Sequence, residues 1–140
     1  MRIALWPDEP SAGTDKDMRD WLARRDAAVF VAARPDGSLC GFVEAGTRPY
    51  AEGCETSPVG YIEGWYVDAD VRREGHGRAL LEAAEDWARS QGCTEMASDA
   101  LLDNILSHRA HARCGYEEVE RLVTFRKSLI SPRGGMAPPA

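Results

Sequence analysis

Val-Gly-Tyr-Ile-Glu-Gly-Trp-Tyr-Val-Asp-Ala-Asp-Val-Arg-Arg-Glu-Gly-His-Gly-Arg-Ala-Leu-Leu-Glu-Ala-Ala-Glu-Asp-Trp, residues 59–87, is the stretch that decides how the rest of the chain reads. Its first part, Val59–Val67, is rich in β-branched and aromatic residues and predicts a strand. A short loop carrying Arg72 and Arg73 follows, and Gly75 and Gly77 open a helix predicted over 75–90, with Leu80, Ala84, Trp87 and Ala88 on one side. Glycine at a helix start lets a ligand approach the backbone, because no Cβ stands in the way. The first helical turn adds unpaired N–H donors and the positive end of the macrodipole. Together these make an anion cradle, most often for phosphate. Arg72 or Arg73 can add a charge-assisted hydrogen bond to the same group.

Three phosphate-binding patterns compete for this segment. A P-loop ends in Gly-Lys-Ser/Thr, whereas Gly77 is followed by Arg78 and Ala79. A dinucleotide fingerprint needs a third glycine where Leu80 stands and a first glycine directly after the strand. Only Asp99, one helix later where a ribose-binding acid would sit, speaks for it. The third pattern, Arg-x-x-Gly-x-Gly, is met by Arg72, Gly75 and Gly77. It resembles the acyl-CoA signature of the GNAT superfamily of N-acetyltransferases. That resemblance implies that the loop and helix start (Arg72, Arg73, Glu74, Gly75, His76, Gly77 and Arg78) bind the pyrophosphate of acetyl-CoA. It also implies a bulge in the preceding strand that offers backbone groups of Tyr66 and Val67 to the acetyl-pantetheine arm, with the Val67 N–H as an oxyanion-type donor.

The chain's 140 residues make room for one domain, expected over 1–130, with a Pro/Gly-rich tail at 131–140 expected to be disordered. A hydrophobic content of 44% suits a globular core, and no apolar run reaches membrane-spanning length. The N-terminus lacks the layout of a secretory leader, so the expected location is the cytoplasm. Cys40, Cys54, Cys93 and Cys114 have no Cys-x-x-Cys spacing, and His76, His108 and His111 lack matched carboxylates; no metal is expected. A net charge of −6 argues against nucleic acid and suits a cationic small molecule or basic segment; no membrane partner is expected. Along the chain, a helix is predicted over 15–25, a hairpin over Ala27–Ala33 and 39–47, an exposed loop over 48–58, a short strand over 94–98 and a helix over 104–113. One or two further strands are expected over 116–129, where apolar and charged residues alternate in places. The class is α+β: a mixed, mostly antiparallel sheet flanked by helices.

A second motif strengthens the resemblance. Residues 103–116, Asp-Asn-Ile-Leu-Ser-His-Arg-Ala-His-Ala-Arg-Cys-Gly-Tyr, follow the other GNAT signature, Asn-x-x-Ala-x-x-x-Tyr-x-x-x-Gly-Phe, with Ser107 in place of the alanine and His111 in place of the tyrosine. Residues 55–67, 93–100 and 103–108 are similar to one subgroup, the bacterial aminoglycoside 6′-N-acetyltransferases, and the similarity runs from about Leu5 to Leu129. In that subgroup a strand and most of a helix precede the Leu-Trp-Pro-Asp element. Here Met1 lies only a few residues before it, so the expectation is either a misassigned start or a missing first strand. A missing strand would leave an edge for a partner chain to cover.

Within the resemblance the acetyl acceptor is the 6′-amine of an aminoglycoside, a cationic amino sugar. The alternatives are another polyamine or a non-catalytic acyl-CoA-binding or sensing module. Glu63, four residues before Val67 in its strand, can accept the ammonium proton or anchor the cation, and it can equally be a cross-strand pair partner. Asp99 at the end of the next strand can hold an amino group or cap a turn. Asn104, Ser107 and His111 share a helical face that meets the pantetheine arm in the wider family; His111 can serve as the general acid, and it can equally pack on or hydrogen-bond to the cofactor. Trp6, Asp8 and Tyr50, with Glu52 and Glu55, lie in segments that wall the acceptor pocket in the resemblance. Dimers are common in the subgroup, so a homodimer is expected.

Overall fold

The computed structural model describes residues 15–130. Helix α1 (Asp15–Leu22) leads into an antiparallel hairpin of β1 (Ala27–Ala33) and β2 (Leu39–Arg48). Its turn is fixed by the Asp36 carboxylate, which accepts from the Ser38 N–H and hydroxyl, and by Gly37 at φ 89°. Strand β3 (Val59–Val67) lies antiparallel to β2, and β4 (Met96–Ser98) pairs in parallel with the start of β3, giving the order β1-β2-β3-β4. A parallel step needs a crossover, which helix α2 (His76–Ser90) supplies; helix α3 (Ile105–Arg113) follows β4.

The two-residue period of the strands sorts the core into two layers. Val43, Ala45 and Ile62 meet Leu80, Leu81 and Ala84 of α2, with Phe30, Trp65, Val67 and Met96 packed around them. On the opposite face Ala51, Val59 and Tyr61 form a smaller cluster beside Cys54 and Ala97. Gly60 is a point of tight approach: a Cβ there would lie 2.4 Å from Met96 Sδ and 2.8 Å from Ala88 Cβ.

One fault in the β2–β3 ladder shapes everything downstream. Glu44 pairs with Gly64 and Ala45 with Ile62, which leaves Glu63 as an extra residue in a β-bulge. The bulge expected to expose Tyr66 and Val67 thus has its additional residue at Glu63. Before it, Val59 and Tyr61 point away from α2; after it, Trp65 and Val67 pack on the α2 side. Pairing with β4 stops at Ile62, so among the described residues no strand neighbours that edge of β3 from Glu63 onward.

The strands expected over 116–129 do not form: among the described residues this segment is irregular. Val119, Leu122, Val123, Phe125, Leu129 and Ile130 are exposed, Phe125 by 91%. The reason is that β-propensity measures fit to a half-buried pleated surface, and among the described residues no strand lies alongside to provide it. Val119 nevertheless abuts the 51–54 loop, since a Cβ on Gly53 would fall 2.5 Å from its Cγ2. The expectations of an absent first strand, of the tail at 131–140 and of Trp6 and Asp8 as pocket residues fall outside the described residues. Among the described residues no helix is long and apolar enough to cross a membrane.

Candidate active site

The loop between β3 and α2 is fastened at both ends. Asp68 N donates to Cys40 O (2.7 Å) while Val67 stands opposite Gly41. The alternation of an antiparallel ladder then turns the Val67 N–H and C=O away from β2, onto the unpaired edge. There the Val67 carbonyl accepts from Arg72 Nε (3.0 Å). Arg34, at the far end of β1, grips the loop with Nη2 on Asp68 (2.9 Å) and Nη1 on Asp70 (2.7 Å), and its guanidinium holds the Asp70 carboxyl below the usual carboxylate range.

Arg73 and Gly75 both take left-handed backbone angles, φ 67° and 91°, a conformation in which successive N–H groups converge on a concavity suited to anions. A Cβ on Gly75 would meet nothing within 4 Å, so the helix start faces open space. No side chain caps α2 and no acidic residue lies in its first turn. Its first-turn donors therefore remain for an anion, and the site fits a pyrophosphate. Trp65 Nε1 donates to Gly77 O (3.1 Å), tying the cradle to β3. Arg78, expected with the pyrophosphate residues, donates from Nη2 to the Arg113 carbonyl (2.7 Å), which joins α2 to the end of α3. Glu74 lies 3.7 Å from His76 Nε2 at the rim.

On the other face the carboxylates are already engaged. Arg48 forks Glu63, with Nε on Oε1 at 3.0 Å and Nη2 on Oε2 at 2.8 Å. The same guanidinium lies 3.5 Å from the centre of the Tyr61 ring, and the Tyr61 hydroxyl donates to Asp99 Oδ2 at 2.5 Å. Burial first, and Asp99 second, push the Tyr61 phenol well above its ordinary range. Glu63, Arg48, Tyr61 and Asp99 thus form one continuous chain. Tyr66 lies near Phe42, ring centroids 6.1 Å apart. Tyr50, Glu52 and Glu55 are exposed on the loop after β2. Glu95 organises that loop, with Oε1 accepting from the Glu55 and Thr56 N–H groups (2.9 and 2.8 Å) and the Thr56 hydroxyl.

Across the unpaired edge, α3 presents His111 between Trp65 and Tyr116, at ring distances of 5.1 and 5.7 Å, both edge-on. His111 Nδ1 lies 2.7 Å from the Ser107 carbonyl, an acceptor only, so Nδ1 carries the proton. In the neutral ring Nε2 then accepts from the Ser98 hydroxyl at 2.8 Å. Asn104 caps α3, its Oδ1 accepting from Ser107 N at 3.1 Å. Among the described residues no three His, Cys, Asp or Glu converge on a metal-sized site.

An anion cradle, a free strand edge and a carboxylate face meet around one bulged strand, and residues 1–116 match the profile of the Acetyltransferase (GNAT) family. The chain belongs to this family. The GNAT chain is 46% identical over 132 residues to an aminoglycoside N(6')-acetyltransferase type 1 of Klebsiella aerogenes, spanning 92% of this chain and 87% of that one. It is 44% identical over 130 residues to the protein of that name from Stenotrophomonas maltophilia, spanning 92% and 84%. Among solved structures, aminoglycoside antibiotic 6'-N-acetyltransferase AAC(6')-IG from Acinetobacter haemolyticus superposes with a TM-score of 0.84 at 40% identity, over 91% of this chain and 88% of that one. AAC(6')-Iy in complex with the bisubstrate analogue CoA-S-monomethyl-acetylneamine gives 0.82 at 36% identity, over 91% and 87%. The α+β GNAT architecture expected from the sequence holds, and the protein is an acetyltransferase.

Arg48, Tyr61 and Ser98 of this GNAT enzyme were not singled out by sequence reasoning. Tyr61 carried a signal, since it stands two residues before Glu63 and so shares its face. Arg48 carried none, because its distance to Glu63 follows only from the register of β2 on β3.

Proposed function

We propose that this GNAT enzyme transfers an acetyl group from acetyl-CoA to the 6′-amine of aminoglycoside antibiotics, removing one cationic group and thereby conferring resistance. The observation that carries the reading is the division of β3: an anion cradle with a free backbone edge on one side, and Glu63 with Asp99 on the other. The similarity to relatives bearing that activity in their names supports it. One catalytic domain, residues 1–130, performs the reaction.

Acetyl-CoA supplies the acyl group as a thioester. The first turn of α2 with Arg72 and Arg73 holds the pyrophosphate, and the face of Asn104 and Ser107 lies along the pantetheine arm. Glu63 takes the proton from the acceptor ammonium, and the freed nitrogen lone pair attacks the carbonyl carbon. The Val67 N–H stabilises charge on the carbonyl oxygen. The attacking nitrogen's second proton passes by way of the Ser98 hydroxyl to the accepting Nε2 of His111, which gives it to the departing thiolate as the C–S bond breaks; the Ser98–His111 hydrogen bond links β4 to α3. Asp99 anchors a second, non-reacting amine, and Trp6, Asp8 and Tyr50 contribute to the acceptor wall. No covalent enzyme intermediate is needed.

The test is free-thiol release from acetyl-CoA with a panel of 6′-amino aminoglycosides and their 6′-hydroxyl analogues. Release with the amino compounds alone is expected. Release with simple polyamines instead would move the assignment to another amine. Binding of acetyl-CoA without turnover on any amine would favour a sensing module.

The enzyme works as a homodimer in the cytoplasm, on a cationic amino sugar and not on nucleic acid or membranes. Four free cysteines suit a reducing compartment, and the net charge of −6 suits a cationic acceptor. The exposed apolar run from Val119 to Ile130 gives a second copy a surface to pair with. Sedimentation velocity should return twice the monomer mass, and Phe125→Asp should shift the species toward monomer. A monomeric parent protein would remove the dimer.

A further inference from the structure

We propose that Arg48 is the enzyme's internal counter-cation: in the resting site its guanidinium holds the place on Glu63 that an acceptor ammonium takes, and acceptor binding exchanges one cation for the other. This rests on the reading that Glu63 meets the acceptor amine.

The geometry sets the terms of the exchange. Both Glu63 oxygens are engaged by one planar fork, the strongest arrangement a carboxylate and a guanidinium can make. An ammonium drawn to the same carboxylate therefore meets a like charge at close range, and the two cations compete. The pair is not sealed in the core, since the Arg48 side chain is 41% exposed and that of Glu63 28%. Arg48 also sits on the last rung of the β2–β3 ladder, opposite Val59, where its side chain can swing toward the 49–58 loop without disturbing an interior rung. The ring of Tyr61 provides the platform on which it rests, 3.5 Å from the guanidinium. Tyr61 in turn donates to Asp99, so the cation is coupled to both candidate anchors.

The other groups nearby do not replace it. Arg24 feels the Glu63 charge, but its own fork is committed to Asp26 at 3.0 and 3.1 Å. Asp99 adds to the field that keeps Arg48 charged, behind the dominant hydrogen bonds that Arg48 donates to Glu63. In the empty site Arg48 thus offsets the carboxylate face; in the occupied one it has been displaced, and each acceptor binds more weakly by the strength of the pair it breaks.

Two quantities test the exchange: the Kd of neamine measured calorimetrically with coenzyme A present, and the steady-state KM values of both substrates. In Arg48→Met the Kd and KM for neamine are expected to fall about three- to tenfold, the range spanned by a partly exposed bidentate pair. The KM for acetyl-CoA should not change. Arg48→Lys, which keeps a charge but cannot fork, should gain less. Unchanged or weaker neamine binding in Arg48→Met overturns the proposal. So does a fall in kcat at constant acceptor KM, which is the signature of a permanent orienting role. Retained coenzyme A binding is the check on folding; if Arg48→Met loses it, Arg48→Lys decides, with a neamine Kd above the parent value counting against. Because Kd needs no turnover, an active Glu63→Gln enzyme would remove the general base without touching this result.

Discussion

A Glu63→Gln enzyme is expected to acetylate amine acceptors about 10²- to 10⁴-fold more slowly than the parent, the span attributed to a positioned general base, with acetyl-CoA binding unchanged. The amide is nearly isosteric and keeps one acceptor oxygen for Arg48, but it cannot take up the ammonium proton. Its NH₂ also faces a guanidinium donor, so one arm of the fork is lost. The deficit should narrow as pH rises toward the acceptor amine's own pKa, because the nucleophile is then supplied already neutral. Turnover that stays at the parent level across the pH range would show that Glu63 is an anchor and that water or the substrate itself disposes of the proton.

The second large effect concerns stability. Leu81→Ala should cost about 2–5 kcal/mol, as buried leucine truncations do when their surroundings cannot collapse. Leu81 is 1% exposed and lies at the centre of the cluster formed with Val43, Ala45, Ile62, Leu80 and Ala84. Against a typical total of about 5–15 kcal/mol this is a large fraction, and the thermal midpoint should drop by about 6–20 °C. The same helix carries the anion cradle at its start, so coenzyme A should recover part of the lost midpoint by binding only the folded form. Circular dichroism melts with and without coenzyme A measure both quantities. A midpoint lowered by less than about 2 °C, corresponding to well under 1 kcal/mol, would mean that α2 settles onto the sheet and closes the gap.

The local signals in the chain were legible where a short-range rule governs them. Val59–Val67 reads as a strand from its composition, α2 from its apolar stripe, and the cradle from Gly75 and Gly77 ahead of that stripe. Gly115 marks the end of α3, with φ 89° and Tyr116 N returning to His111 O. Long-range facts were not legible. Neither the fork of Arg48 on Glu63 nor the bond of Tyr61 to Asp99 follows from sequence spacing, because each depends on strand register. The 116–129 segment misled for a related reason: its alternation is real, but a strand needs a neighbour, and among the described residues none lies beside it. The bond of Arg78 to the Arg113 carbonyl was not legible either, because that residue lies on a helix that the motif holding Arg78 does not mention.

The extra residue at Glu63 has an implication for how this protein can change over time. Because the bulge reverses the phase of β3, odd-numbered positions up to Glu63 look toward the face that carries the carboxylates, whereas Trp65 and Val67 look toward α2. Within nine residues, the strand thus sends one set of side chains to the face of Glu63 and Asp99 and another into the core beneath α2. Under the proposed function, substitutions at Tyr61 and its neighbours can therefore alter the acceptor face while the packing of β3 on α2 stays untouched. A one-residue deletion in the same strand would scramble both at once. Substitutions should be common routes to altered drug range in such an enzyme, and length changes in this strand should be lethal to it.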